Sequence, residues 1–220
     1  MVFHSPTEAA NAPRECRSAP PPSAYNKFVN AENDKDALRL PCDASAVACD
    51  ANEALRVACD AMCGGLARWL RVLGVNTAYV RDIEDSALVR QALAERRVVL
   101  SSDRKLFERR VFTTGELPGL FIPVGLRLAD QVRFVAGRLK LPVGFPRCTV
   151  CNGELEPVDR AAVADVVPAR SLIWVREFYR CRECRQVYWE GTHWRRIGAL
   201  RAEIVNMRAS GSAPETTPQK

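Results

Sequence analysis

The fold is decided by the stretch from Leu55 to Asp103, which contains three short apolar runs: Leu55-Arg-Val-Ala-Cys-Asp60, Thr77-Ala-Tyr-Val-Arg-Asp82 and Val98-Val-Leu-Ser-Ser-Asp103. Each run has the composition of a buried β-strand and ends in or beside an aspartate. Between the first two runs, apolar residues recur at helical spacing in Leu66-Ala-Arg-Trp-Leu-Arg-Val-Leu73. Strands that alternate with helices are typical of a parallel sheet, so we predict an α/β fold in which helices flank the sheet.

The same alternation continues along the chain. Gly74 stands where the first helix would end in a left-handed residue. A second helical pattern begins near Asp85, and Leu128 to Leu139 carry another at i, i+4, i+7 and i+11. Leu120-Phe-Ile-Pro-Val124 has the composition of a fourth strand. We predict one α/β domain over residues 55–143.

Aspartates lie at or just beyond the ends of the predicted strands. The carboxyl ends of parallel strands converge on one crevice, so we expect Asp60, either Asp82 or Asp85, and Asp103 to meet there. Carboxylate oxygens are the ligands that Mg²⁺ and Mn²⁺ prefer. Two such ions about 4 Å apart can activate water and stabilise the leaving oxygen of a phosphodiester. The pattern therefore predicts an acidic metal pocket with these aspartates as candidate catalytic residues.

Each aspartate also has a structural alternative. Asp85 and Asp103 precede predicted helices and could cap them. Asp82 could pair with a nearby arginine, and Asp60 could occupy an ordinary loop. The case for a metal pocket depends on the four residues being taken together.

Four of the nine cysteines form two C-x-x-C pairs, at Cys148/Cys151 and Cys181/Cys184. Two such pairs can place four thiolates around one tetrahedral zinc ion and leave no open position, which indicates a structural site. The alternative is free or redox-active thiols. We predict a small zinc ribbon over residues 144–197, in which Zn²⁺ supports a thin apolar core.

The charge of the chain is compatible with a nucleic-acid partner. The formal charge is +6, and residues 55–220 carry 27 Lys/Arg against 18 Asp/Glu, nearly all of the cations being arginine. Arginine binds phosphate in a bidentate manner and stacks on bases. The alternative is that the high arginine content reflects the base composition of the genome.

Six residues are candidates for substrate binding because they offer guanidinium groups for phosphates or planes for unstacked bases: Arg68, Arg71, Arg104, His193, Trp194 and Arg195. Arg68 and Arg71 are predicted on the polar side of the first helix, where a solvated face is the alternative. For Trp194 the alternative is packing within the ribbon.

The two ends of the chain have the composition of tails. Residues 1–54 are predicted to be a disordered N-terminal tail. Residues 198–220 are predicted to form a short C-terminal helix followed by a disordered segment. No apolar run approaches the length of a membrane span, and no secretory signal begins the chain. We therefore predict a cytoplasmic protein that does not associate with a membrane.

The motifs from Leu55 to Ile197 together resemble the Mut-seven C-terminal ribonuclease domain. The resemblance is carried by Asp60-Ala-Met-Cys-Gly-Gly-Leu-Ala-Arg-Trp-Leu-Arg-Val-Leu-Gly74, by the later aspartates, by the C-x-x-C pairs and by Tyr188-Trp-Glu-Gly-Thr-His-Trp194. It implies a PIN-like nuclease fold with a zinc ribbon and a metal-dependent ribonuclease activity. The matching acidic positions, which would hold Mg²⁺ or Mn²⁺, are Asp60, Asp85 and Asp103, with Asp82 as a fourth.

The first functional hypothesis is therefore an endoribonuclease that acts on single-stranded or structured RNA and uses its ribbon to hold the substrate. The second is a non-catalytic RNA- or ribosome-associated adaptor with a vestigial acidic pocket. A phosphoacceptor receiver domain would need a lysine at a strand end, and neither Lys105 nor Lys140 is suitably placed. The sequence leaves the oligomeric state open.

Overall fold

The structure is a computed structural model that describes residues 55–191 and 194–210, with side chains up to Met207. The predicted N-terminal tail over residues 1–54 lies outside the described residues, as do His193 and residues 211–220. No helix within the two described ranges is long and apolar enough to cross a membrane.

Strands and helices alternate through the first domain as predicted. In chain order they are β1 (Arg56–Cys59), α1 (Gly64–Val72), β2 (Asn76–Tyr79), α2 (Asp85–Glu95), β3 (Val98–Ser101), α3 (Arg104–Phe107), α4 (Arg110–Thr113), β4 (Gly119–Phe121) and α5 (Leu128–Leu139). A 3-10 turn over Ala61–Cys63 connects β1 to α1.

The strands of this domain form one parallel sheet in the order β2-β1-β3-β4. β1 and β3 lie side by side in its centre, where Val57 pairs with Val98. The predicted α/β class with a parallel, helix-flanked sheet is confirmed. Because the four strands run in one direction, the residues that follow them share one edge of the domain.

Helices cover both faces of the sheet. Val57 and Cys59 of β1 belong to the apolar cluster that contains α1, α5 and the C-terminal helix α7 (Trp194–Ser210). Ala58, which faces the opposite side, belongs to the cluster that contains α2, α3 and α4. Strands buried on both faces explain why the sequence runs are apolar throughout rather than alternating.

Gly74 has the left-handed conformation that its position after the first helix predicts, with φ of +91°. A Cβ atom here would lie 2.7 Å from the carbonyl carbon of Gly144 and the carbonyl oxygen of Phe145. The segment that joins the two domains therefore passes directly over this residue, and a side chain would both strain the backbone and displace that segment.

The second domain is a small antiparallel sheet built around the C-x-x-C pairs. Its strands β5 (Leu155–Val158), β6 (Phe178–Cys181) and β7 (Val187–Trp189) lie in that order. Residues 159–177, between β5 and β6, include the short helix α6 (Ala169–Trp174). They pack onto the sheet through a small cluster of buried residues: Val163, Val167, Val175 and Phe178.

The C-terminal helix α7 is longer than the short helix predicted from sequence, and it returns to the first domain. Leu200 and Ile204 are buried in the cluster that contains α1 and α5. Glu203 accepts two hydrogen bonds from Arg133 of α5, at 2.7 and 3.0 Å. The helix thus completes one face of the α/β sheet.

The ribbon docks on β2, an edge strand of the parallel sheet. The side-chain oxygen of Asn152 accepts a hydrogen bond from the backbone N–H of Thr77 at 2.9 Å, and its amide nitrogen donates to the side chain of Asn76 at 2.9 Å. Asn152 has a left-handed backbone, with φ of +70°, directly after the first C-x-x-C pair. The knuckle formed by this pair therefore satisfies a backbone N–H of the sheet edge.

Candidate active site and zinc centre

Asp60 lies at the end of β1 and is almost fully buried, with 6% of its surface exposed. One carboxylate oxygen caps the following turn by accepting a hydrogen bond from the N–H of Ala61 at 2.6 Å. The other accepts from the hydroxyl of Ser101, the last residue of β3, also at 2.6 Å. These contacts fix the orientation of the carboxylate at the carboxyl edge of the sheet.

Ser101 also connects Asp60 to Asp103. Its fully buried hydroxyl accepts a hydrogen bond from the backbone N–H of Asp103 at 2.9 Å. Asp103 caps α3 by accepting from the N–H of Lys105 at 2.8 Å, so the capping alternative is realised. Its other carboxylate oxygen has no hydrogen-bond partner among the described residues. Asp60 and Asp103, 43 positions apart, therefore lie at neighbouring strand ends.

Asp85 and Asp82 lie beyond the end of β2, next to β1. Asp85 is the first residue of α2, with Glu84 at the N-cap, and its carboxylate pairs with the guanidinium of Arg109 at 3.1 Å. Asp82 is exposed with a left-handed φ of 56° and makes no ion pair with any described residue. The predicted pairing of Asp82 with a nearby arginine is therefore not formed.

The four aspartates do not form a compact ligand set in this arrangement. Within the described residues, three or more ligand atoms lie within 4.8 Å of one another only in the cysteine cluster. Asp60 and Asp103 offer the oxygen donors that Mg²⁺ and Mn²⁺ take, whereas Asp85 is engaged by Arg109. The donor chemistry fits a divalent ion, and the pair that fits best is Asp60 with Asp103.

The cysteine next to this site is not a candidate nucleophile. Burial, together with the negative charge of Asp60, raises the pKa of Cys63 to about 11. A cysteine reacts and binds metals as a thiolate, so this thiol stays protonated and inert at neutral pH.

Most of the predicted substrate-binding residues lie at the surface. Arg68 is exposed on α1, Arg195 is exposed on α7, and Trp194 is half-buried at the start of that helix. Arg104 is exposed beside Asp103, and its guanidinium lies 4.9 Å from the centre of the Phe121 ring. His193 lies outside the described residues.

Arg71 is not on the polar side of α1, and its predicted placement is wrong. The side chain is buried and donates hydrogen bonds to the carbonyl of Thr77 at 3.0 Å and to those of Thr149 and Val150 at 2.9 and 3.1 Å. Its guanidinium thus joins β2 to the first cysteine knuckle and is not accessible to a phosphate. The helical pattern identified the helix but not the ribbon that covers this part of it.

Replacing Arg71 by alanine is expected to lower the free energy of unfolding by about 3 kcal/mol, because three carbonyls, of which that of Thr77 is buried, lose a charged donor. Chemical denaturation would measure this effect. Arg68→Ala, on the exposed side of the same helix, is the matched control and should change stability by less than about 0.5 kcal/mol. Equal, small effects of the two substitutions would contradict the structural role of Arg71.

The four cysteines of the C-x-x-C pairs converge as their spacing predicts. All four Sγ atoms lie within 4.8 Å of one another, with Cys148 3.5 Å from Cys184 and Cys151 3.4 Å from Cys181. Thiolates that bind tetrahedral zinc at about 2.3 Å lie about 3.8 Å apart, so the cluster can hold Zn²⁺.

The pKa values of these thiols differ from one cysteine to another. Burial opposes ionisation of Cys148, but hydrogen bonds from the Tyr188 hydroxyl and from backbone N–H groups outweigh it and lower its pKa to about 6. Burial, with contacts to the other three thiols, raises the pKa of Cys184 to about 12. Four adjacent thiols cannot all ionise at neutral pH unless a cation compensates their charge, which is the condition that bound zinc meets.

Two residues of the acidic site were missed by the sequence reasoning. Ser101 connects Asp60 to Asp103. Its position at a strand end, two residues before Asp103, is the sequence feature that could have identified it. Arg109 follows α3 and reaches Asp85 across 24 positions, which no local pattern predicts.

Comparison with known proteins identifies the family. Residues 55–200, about two thirds of the chain, match the family described as the Mut7-C RNAse domain. Searches of curated proteins and of solved structures found no match. The matched range contains both sheets, the four aspartates and the four cysteines of the C-x-x-C pairs. The chain belongs to the Mut7-C RNAse domain family.

Proposed function

We propose that this protein is a metal-dependent ribonuclease that hydrolyses RNA phosphodiester bonds at the carboxyl edge of its parallel sheet. The family supports a ribonuclease-like function. The observation that carries the proposal is the connection of Asp60 and Asp103 through the buried hydroxyl of Ser101. It joins the Asp60 carboxylate to the backbone N–H of Asp103 across neighbouring strands, which supports a shared acidic site at this edge of the sheet.

In this proposal, Asp60 and Asp103 hold Mg²⁺ or Mn²⁺, with Asp85 and Asp82 as further acidic residues of the site. A bound divalent ion would supply an activated water and stabilise the charge on the leaving oxygen. Ser101 orients Asp60 by donating to one carboxylate oxygen, which leaves the remaining lone pairs available to the ion. Asp85 joins the site when it leaves Arg109.

The basic surface residues have a complementary role. Arg104 makes no ion pair with a described residue and is stacked on Phe121 beside Asp103, so its donors are available for a substrate phosphate. Arg68, Trp194 and Arg195 are further contacts in this proposal, with His193 in the adjoining segment. Zinc at the four cysteines is structural, because four protein ligands complete its coordination, and the ribbon assists RNA binding. Cytoplasmic location remains a prediction.

Incubation of the purified chain with labelled RNA and labelled DNA, with and without Mn²⁺, tests the proposal. We expect RNA fragments that appear only when Mn²⁺ or Mg²⁺ is added. Intact RNA under all metal conditions would reject the activity.

A non-catalytic RNA- or ribosome-associated adaptor is the second candidate function. The ion pair between Asp85 and Arg109 favours it, because the guanidinium competes with a metal ion for this carboxylate. An adaptor would bind RNA in the same experiment without any metal-dependent turnover.

Ser101→Ala is expected to lower kcat for RNA cleavage about 10-fold or more, because Asp60 loses the hydroxyl that orients it. The apparent affinity for Mn²⁺ should fall as well, which a merely structural residue would not cause. A Mn²⁺ titration of the cleavage rate measures both quantities. Ser102→Ala is the matched control, since its hydroxyl makes no hydrogen bond with a described residue. Unchanged Mn²⁺ affinity in Ser101→Ala would contradict the orienting role.

A further inference from the structure

The segment between β5 and β6 carries a group of exposed apolar side chains that no part of the described chain covers. We call Val166, Ile173 and Trp174 the insert patch; 65%, 72% and 82% of their respective surfaces are exposed. Tryptophan is buried on average in soluble proteins, so an indole exposed to this extent indicates a binding surface.

The patch lies on an ordered element. Helix α6 turns its opposite side inward, where Leu172 packs against the cluster of Val163, Val167 and Phe178. Val175, directly after Trp174, is 8% exposed, and its carbonyl accepts a hydrogen bond from Arg160 at 3.2 Å. The exposed position of Trp174 is therefore fixed by a packed and hydrogen-bonded backbone.

Unpaired cations flank the indole. Arg170 precedes Trp174 by one helical turn, so their side chains are neighbours on the exposed side of α6. Arg176 follows two positions later, and neither arginine forms an ion pair with a described residue. The nearby carboxylate of Glu177 is engaged by the hydroxyl of Tyr179 at 2.7 Å. An aromatic plane with free guanidinium groups beside it suits a base and its phosphates.

The size of the patch favours a nucleobase over a protein partner. An aromatic side chain offers on the order of 200 Å², so the three side chains together expose roughly 400 Å². A stable protein interface takes about 800 Å² from each partner. A single base needs only one face of the indole.

We propose that Trp174 is a stacking site for unpaired bases of single-stranded RNA, with Arg170 and Arg176 contacting the adjacent phosphates. The proposal rests on the proposed ribonuclease function for the identity of its ligand. Leu155 pairs with Cys181 at the zinc end of the ribbon sheet and Val158 pairs with Phe178 at its other end. The insert leaves from that other end, so Trp174 belongs to a part of the ribbon away from the cysteine cluster.

Binding of a short fluorescein-labelled oligouridylate, measured by anisotropy without added Mg²⁺ or Mn²⁺, tests this inference. Trp174→Ala is expected to weaken binding about tenfold, the effect of losing one base stack. Trp174→Phe should retain most of the affinity because an aromatic plane remains. Since the indole is largely exposed, thermal melting and zinc content of both variants should equal those of the parent protein.

Ile173→Ala is the matched control, because it removes a neighbouring apolar side chain that is almost as exposed but cannot stack as a plane. We expect it to leave the affinity unchanged. Unchanged binding by Trp174→Ala would overturn the inference, and so would equal losses in Trp174→Ala and Ile173→Ala, which indicate a general apolar contact.

The outcome is separable from that of the proposed ribonuclease function. If the parent protein binds oligouridylate through Trp174 but cleaves no RNA with Mn²⁺, the inference stands and the catalytic proposal fails. If the parent protein cleaves RNA and Trp174→Ala binds equally well, only the inference fails.

Discussion

Replacing Asp60 by asparagine is expected to reduce Mn²⁺-dependent RNA cleavage by about 10³-fold or more. Asp60 is the buried member of the acidic site, and both of its oxygens are already oriented by the N–H of Ala61 and the hydroxyl of Ser101. In the proposed mechanism, loss of its charge would remove an anionic ligand from a divalent ion that would supply several kcal/mol of transition-state stabilisation. Single-turnover cleavage of a labelled RNA measures the effect.

The fold of this variant should be preserved, because the asparagine carbonyl can still accept the hydrogen bond from Ala61 that caps the turn. Circular dichroism and the melting temperature would verify this. Asp165→Asn, which changes an exposed carboxylate in the ribbon, is the matched control for charge and should cleave RNA at the parent rate. Undiminished cleavage by both Asp60→Asn and Asp103→Asn would reject the mechanism.

Removal of zinc is expected to unfold the ribbon and to destabilise the α/β domain with it. Structural zinc contributes about 10–16 kcal/mol in small zinc peptides, which exceeds the core stability of a ribbon this size. Cys148→Ser should therefore lose its metal. Arg71 would then lose its hydrogen bonds to the carbonyls of Thr149 and Val150, and Thr77 of β2 would lose its hydrogen bond to Asn152. The melting temperature of the remaining domain should therefore fall by about 10 °C.

Elemental analysis and calorimetry would measure these two effects. Val150→Ala is the matched control, because this exposed residue lies between two ligands and contributes only its backbone carbonyl to Arg71. It should retain one zinc per chain and the parent melting temperature. A metal-free Cys148→Ser protein that melts like the parent would contradict the structural role of the metal.

The order of the elements could be predicted because it depends on local spacing. Apolar runs of strand length, helical repeats such as Leu66 to Leu73, and the left-handed position of Gly74 are each set by a few neighbouring residues. The placement of Asp60 and Asp103 after neighbouring strands also followed, because parallel strands bring their carboxyl ends to one edge.

The side-chain contacts between distant elements could not be predicted. The helical spacing of Arg71 predicts a solvent-exposed side chain. In the structure, the cysteine knuckle, whose Thr149 lies 78 positions later, covers it. Helix α7 has little amphipathic pattern, yet Leu200 and Ile204 close one face of the sheet. Such contacts depend on which surfaces pack together in three dimensions. The spacing of neighbouring residues in one sequence does not predict this packing.

The docking of the ribbon has a consequence for solubility. An uncovered edge strand presents free N–H and C=O groups that can pair with a strand of another molecule and begin aggregation. In this protein Asn152 accepts from the N–H of Thr77 on β2, and Arg71 donates to the carbonyl of the same residue. If zinc at the four cysteines holds the knuckle in place, it also blocks intermolecular pairing along β2, and zinc-depleted protein should then form β-rich oligomers.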